Sequence, residues 1–262
     1  MLEVVFLKEK KRADRRTTEE RCMPVVKSNL LIQKSRYSLS IQEQKIVLYL
    51  ISKIKPEDTG LEEYTFDIKD FCKVVGIDYN NGKNYQNVKA TVKNLADRSI
   101  WVTLNDGTET LLRWIERPYI NKGSGIIRVK MDELMMPYLI QLKNHFTQYN
   151  LYYVLAMRSQ YSVRLYELLK SYQNLKIWTF YIAEFKRLLG TEYEHFYDLK
   201  RYILIPAVKE INEFSDLNIT YELIKKGKAY DQIKFFIEQK KDSTELIQNV
   251  QLFFNEFCPW ER

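Results

Sequence analysis

The sequence predicts an α+β fold assembled from one duplicated unit, and three observations carry that prediction. The segments YTFDIKDFCKVVG (64–76) and WTFYIAEFKRLLG (178–190) share Thr65/Thr179, Phe66/Phe180, Ile68/Ile182, Phe71/Phe185 and Gly76/Gly190 at one constant offset. A helical pattern precedes each copy. A second helical pattern, then a strand, a turn and a strand, follow each copy. At 262 residues the chain is long enough for two ordinary domains.

The elements read as follows. In LSIQEQKIVLYLISKIK, Ser40 stands three residues before Glu43, a capping-box pattern, and Val47, Leu50, Ile51 and Ile54 share one helix face. The first copy of the repeat then gives a strand and a helix stopped at Gly76. A polar turn, IDYNNGKN, leads to the helix YQNVKATVKNLADRS, whose apolar face is Tyr85, Val88, Val92 and Leu95. The strand IWVTL and the turn Asn105-Asp106-Gly107 close the first half. A long connecting helix around Leu134 to Ser171 is expected next. It carries Leu165, Leu168, Leu169 and Tyr172 at the steps seen in the first half. After the second copy come TEYEHF, the helix YDLKRYILIPAVKEINEFS, the strand LNITYEL and the turn Lys226-Gly227-Lys228. Helix-turn-helix followed by a hairpin is the order of a winged helix domain. The expected organisation is a flexible basic tail over 1–23, winged helix domains over 24–145 and 146–240, each with its own core, and a C-terminal tail over 241–262.

Lys and Arg number 41 against 34 Asp and Glu, a net charge of +7 that leans toward an acidic partner such as nucleic acid. The basic run from Lys8 to Arg21 reads as a solvated tail rather than a DNA-binding arm. No stretch approaches the ~20 apolar residues of a membrane helix. The N-terminus places its apolar residues before its charges, the wrong order for a secretory signal. Cys22, Cys72 and Cys258 have no metal-ligand spacing and form no even disulfide set, which fits a reducing cytoplasm. His145 and His195 are far apart and make no His-x-His pair of the kind a DNA-nicking metal site needs. No phosphate-binding loop ending in Gly-Lys-Ser/Thr is present. Asp67 and Asp70 read as carboxylates at a helix N-terminus rather than a metal pair. No catalytic residue, metal or cofactor is expected.

In a helix-turn-helix the second helix enters the major groove. In the second half its inward face is Phe196, Leu199, Ile203, Ala207 and Phe214. Its outward face is Glu194, Asp198, Arg201, Ile205, Lys209 and Asn212. Arg201 is suited to bidentate contact with guanine. Ile205 is suited either to a thymine methyl group or to packing against a neighbouring element. Pro206 either kinks this helix or begins a separate one. His195, in the turn before the helix, and the wing-tip residues Lys225, Lys226 and Lys228 are suited to phosphates. In the first half the outward residues are Gln86, Lys89, Lys93 and Asn94, suited to phosphates rather than to base reading.

Three long motifs occur in the order of a known family. VVKSNLLIQKSRYSLSIQEQKIVLYLISKI, SQYSVRLYELLKSY and FYDLKRYILIPAVKEINEFSDLNITYELIKKGKAYDQIKFFI resemble the replication initiators of iteron-type, theta-replicating plasmids. The resemblance spans about Pro24 to Ile237. It implies two winged helix domains that grip one direct repeat, or iteron, of double-stranded origin DNA in the bacterial cytoplasm. It implies monomers that help open the duplex and bring in the host initiator and replicative helicase. It also implies dimers, joined through the first domain, that often bind an inverted repeat and repress the initiator's own gene. Lys200 and Arg201 match the family's second recognition helix, and Pro206 its Pro-Ala step. The alternative is a tandem winged helix transcriptional repressor with no replication role. An initiator gene should lie beside tandem direct repeats of roughly 20 base pairs, two helical turns.

Overall fold

The computed structural model describes residues 17–35, 38–55, 57–76, 82–103, 107–121 and 123–241. The first half runs β1 (Pro24–Ser28), α1 (Asn29–Lys34), α2 (Ile41–Ile51), β2 (Glu63–Asp67), α3 (Ile68–Val75), α4 (Gly82–Asp97), β3 (Ser99–Thr103), β4 (Glu109–Arg113), β5 (Tyr119–Ile120) and β6 (Ile126–Lys130). A 3-10 turn (Glu133–Met135), α5 (Met136–Leu139), β7 (Phe146–Asn150) and α6 (Leu151–Leu155) lead to α7 (Gln160–Ser171). The second half follows as β8 (Ile177–Tyr181), α8 (Ile182–Leu189), α9 (Phe196–Leu199), a π turn (Lys200–Leu204), α10 (Ile205–Phe214), β9 (Leu217–Lys226) and β10 (Ala229–Gln239).

The duplication is structural, and the repeated residues do the same work twice. Phe66 and Phe180 point inward from β2 and β8, and Phe71 and Phe185 meet them from α3 and α8 at ring separations of 5.6 and 5.8 Å. Ile68 and Ile182 are buried at the first helical position. Gly76 and Gly190 end the helices at φ 74° and 64°, a left-handed stop that a side chain would strain. Thr65 and Thr179 face outward, opposite Arg128 and Lys234 on the neighbouring strand.

The capping box forms as the spacing predicts. The Ser40 hydroxyl accepts from the Glu43 amide, and the Glu43 carboxylate accepts from the Ser40 amide. Arg98, just past α4, pairs with the same carboxylate at 3.0 Å, so the box also locks α4 onto α2. Asp67 caps α3 by accepting from the amides of Lys69 and Asp70, as a helix N-terminal carboxylate should. The Asp67→Ala variant is expected to lose about 1 kcal/mol of stability in urea unfolding. Tyr181, at the matching place in the second half, makes no side-chain cap.

Three sequence expectations give way. The first half does not end at the β3–β4 hairpin, which stands as its own two-stranded sheet. A further hairpin follows, closed by Asn121, whose side chain accepts from the Gly123 and Ser124 amides. Its second strand, β6, pairs with β2 in the order β2-β6-β5. The register Phe66↔Ile127 in the first half answers Phe180↔Ile233 in the second, so β6 is the counterpart of β10. The alternation of exposed Ile126 and Arg128 with buried Ile127 and Val129 is the signal for this strand.

Nor is the connection from Leu134 to Ser171 one helix. Pro137 opens α5, and Gln141 and His145 take φ 52° and 54°, which no helix tolerates. Phe146–Asn150 then alternates exposed and buried residues and pairs antiparallel with β1. The connection is helical only in pieces, the short α5 and α6 and the longer α7.

The two cores are not separate. Buried side chains form one continuous cluster, and α7 lies in its middle, with residues 162–170 buried on every face. Before β1, residues 17–21 form a helical turn from which Arg21 donates to the carbonyls of Lys73 and Val74. The basic run from Lys8 to Arg16 and the tail from Asp242 onward lie outside the described residues.

Candidate nucleic-acid interface

The second helix of the second half is built to show one face. Leu199, Ile203, Leu204, Ala207 and Ile211 are buried beneath it. At Lys200–Leu204 the Ile205 amide donates to the Lys200 carbonyl, five residues back, which makes the π turn. Pro206 then sits in the first turn of α10, where its missing N–H is tolerated. The axis continues through the junction, because Leu204 and Ile205 keep right-handed helical angles.

Above that base stand Tyr197 (69 % exposed), Arg201, Tyr202 (52 %), Ile205 (50 %) and Lys209. Ile205 is therefore a solvent-facing apolar side chain rather than one packed against a neighbour. The Arg201 guanidinium lies 5.3 Å from the Tyr202 ring centre, and Tyr202 stacks on Tyr193 at 5.9 Å. These contacts hold a planar cation on an aromatic platform. Lys200 is half-buried beside it, and His195 is exposed at the N-cap of α9. Asp198 is half-buried, and Asn212 turns away from the outward set to bond both backbone groups of Ile219 on β9.

The wing is the β9–β10 hairpin. Gly227, at φ 66°, takes the first of two turn positions, where a side chain would be strained. Lys225, Lys226 and Lys228 are exposed around it. Next to the turn, Tyr230 packs on Phe196 at 4.9 Å and carries the Lys225 ammonium 4.9 Å from its ring centre. The wing is thus seated on the start of the exposed helix, which brings the basic tip and the Tyr197–Arg201 face into one structural unit.

In the first half α4 places Gln86, Lys93 and Asn94 on its exposed face, with Lys89 half-buried. Lys93 is paired with Asp97 at 2.5 Å, one helical turn away. The hairpin tip at Asn105 and Asp106 lies outside the described residues.

Sequence reading missed the tyrosines. Tyr197, Arg201, Ile205 and Lys209 recur at every fourth position. That step is the signal that would have found Tyr197, since residues four apart line one helix face. Among the described residues no group of three or more His, Cys, Asp and Glu side chains is placed to hold a metal ion, and no helix is long and apolar enough to cross a membrane.

Comparison with known proteins gives this geometry a family. The chain is 28 % identical over 236 residues to a "Replication initiation protein" of Escherichia coli, a match covering 84 % of this chain and 72 % of the relative. An "Uncharacterized 27.6 kDa protein" of Escherichia coli is 23 % identical over 219 residues, covering 78 % of this chain and 91 % of that one. The crystal structure of Pi initiator protein in complex with iteron DNA superposes with a TM-score of 0.68 at 20 % identity, covering 85 % of this chain and 99 % of the other. Two family models match in order: "Initiator Replication protein, WH1" over residues 24–170 and "Initiator Rep protein, WH2" over residues 181–237. With two winged helix units in tandem and both models matched across most of its length, the chain belongs to the initiator replication protein family.

Proposed function

We propose that this protein is a plasmid replication initiator that binds direct repeats of double-stranded DNA at its origin. The observation that carries the reading is the exposed Tyr197–Arg201–Ile205 face, seated against a lysine-tipped wing, within a chain of this family. A cation able to fork onto guanine lies beside an apolar side chain able to meet a thymine methyl, and the wing supplies phosphate contacts. The Pi initiator was solved with iteron DNA, and the same class of ligand is assigned to this chain. α4 of the first half, through Gln86, Lys89, Lys93 and Asn94, supplies further phosphate contacts in this reading. The resemblance extends the proposal to a dimer joined through the first domain that represses its own gene, and to recruitment of the host initiator and replicative helicase. The protein acts in the bacterial cytoplasm by binding rather than by catalysis.

The test is a titration of the purified chain against the DNA beside its gene. Preference for tandem direct repeats over scrambled duplex is expected. Binding confined to an inverted-repeat operator would favour a transcriptional repressor instead. Arg201→Ala is expected to weaken repeat binding by about 1–3 kcal/mol while changing random-duplex binding far less. Lys226→Ala should weaken both alike. Equal losses for Arg201→Ala on the two duplexes would reduce Arg201 to a phosphate contact.

A further inference from the structure

The helix α7 carries charge where none is needed for solubility. Arg164 is 2 % exposed and Glu167 is 2 % exposed. Arg164 sends its guanidinium in two directions at once. Toward the first half, Nη2 donates to the carbonyls of Ile32 (2.6 Å) and Ser35 (2.9 Å), at the end of α1. Toward the second half, Nε donates to the Leu188 carbonyl (3.2 Å), at the end of α8. These acceptors lie at the C-terminal ends of two helices, where carbonyls lack helical partners and cations are favoured.

Other ties follow the same division. On the first side, Glu167 accepts from Lys27 of β1 at 2.7 Å and from Tyr149 of β7 at 2.5 Å. Gln33 of α1 donates to the Ser171 hydroxyl at 3.1 Å. On the second side, Tyr166 and Lys170 both bond Asp216, between α10 and β9. Glu210 of α10 accepts from the amides of Arg158 and Ser159, at the start of α7. The helix that presents Tyr197, Arg201 and Ile205 is therefore clamped to α7 through Glu210 and Asp216. The first half is clamped to the opposite side.

We propose that Arg164 is a positioning residue that fixes the spacing between the two DNA-reading surfaces, so that the interior of the protein sets the length of repeat it accepts. Directional bonds to rigid helix ends give one arrangement, whereas an apolar contact there would allow sliding. Each added base pair displaces the far half of a repeat by about 3.4 Å and about a tenth of a turn. A rigid chain cannot follow that displacement, and it forfeits the gain of holding both halves together. A loosened chain can follow it. The proposal rests on the DNA-binding reading above.

The experiment measures affinity of the full-length chain for a duplex carrying one direct repeat from the DNA beside the gene, and for the same duplex with one or two base pairs inserted at its centre. Wild type is expected to lose about 10²-fold or more on insertion, the scale of two-site engagement. Arg164→Lys keeps the charge but cannot span three carbonyls, and should lose about 10-fold or less relative to its own unaltered repeat. Gln33→Ala, at a half-buried tie that the core does not require, should shift the ratio the same way and carries the test if the first variant does not fold. Loss of stability alone would weaken every duplex alike and leave the ratio unchanged. Wild type binding the altered and unaltered repeats equally, or folded variants keeping the wild-type ratio, would overturn the proposal. Failure of wild type on the unaltered repeat would overturn the DNA-binding reading itself.

Discussion

Glu167→Ala is expected to destabilise the protein by about 3–5 kcal/mol, measured by urea or thermal unfolding. The carboxylate is the acceptor for a buried ammonium and a buried phenol, and Lys27 is itself 1 % exposed. Removing it takes the carboxylate away from the buried Lys27 ammonium and leaves a void beside it. Glu167→Gln keeps the shape and an acceptor and should cost less. The two variants also separate by pH. Burial pushes the Glu167 carboxyl up, but the nearby Lys27 and Arg164 charges, with hydrogen bonds from Lys27 and Tyr149, outweigh it and hold the group below the usual carboxylate range. A folded-state pKa below the unfolded one gives stability that is complete above the ordinary glutamate pKa of about 4.3 and is lost as pH falls through the lowered value. Wild type should therefore lose stability from about pH 4.3 downward more steeply than Glu167→Gln. Parallel acid slopes in the two proteins would refute this assignment.

Affinity for the direct repeat is expected to fall about 10³-fold, or about 4 kcal/mol, between ~50 and ~200 mM salt. The cations placed to meet phosphates are Lys89, Lys93, Lys200, Lys209, Lys225, Lys226 and Lys228. Lys93 already has Asp97 for a partner, so about six contacts are a reasonable working number. Six neutralised phosphates give a slope of about −5 in a plot of log affinity against log salt. Lys226→Ala should reduce that slope by about 1. A plot without slope would mean that the basic wing is solvated and takes no part in binding.

The repeat was the most legible part of the chain, because its residues are constrained by the core and by one left-handed glycine rather than by a partner. Ser40 and Glu43 were equally plain, since a capping box is written in local spacing. What comparison of the two halves hid was their difference. With β3 and β4 as the apparent counterpart of the final hairpin, the pattern leaves no place for β5 and β6, although Ile127 and Val129 alternate as a strand should. The connection between the halves misled for another reason. Its apolar residues suit a helix, and only the β1–β7 ladder, a pairing between residues far apart in sequence, makes Phe146–Asn150 a strand. Arg164 was illegible in principle. A charged residue beside Leu165 reads as the wet side of an amphipathic helix, and nothing local reveals that α7 is covered on all sides. The exposed tyrosines were obscured by abundance, since 19 tyrosines make any one of them unremarked.

The π turn before Pro206 bears on how such a reader changes over generations. Deleting one residue between Lys200 and Leu204 would restore ordinary helical winding and leave the parts before and after it in place, because the π turn holds one residue more than an α turn. Pro206 lowers the barrier to either form, because it has no N–H to lose when the winding changes. The same deletion elsewhere in the helix would drag Leu199, Ile203, Ala207 or Ile211 out of the core. Loss or gain of a single codon at this one place is thus the shortest inherited step by which a descendant of this protein could come to recognise a different origin.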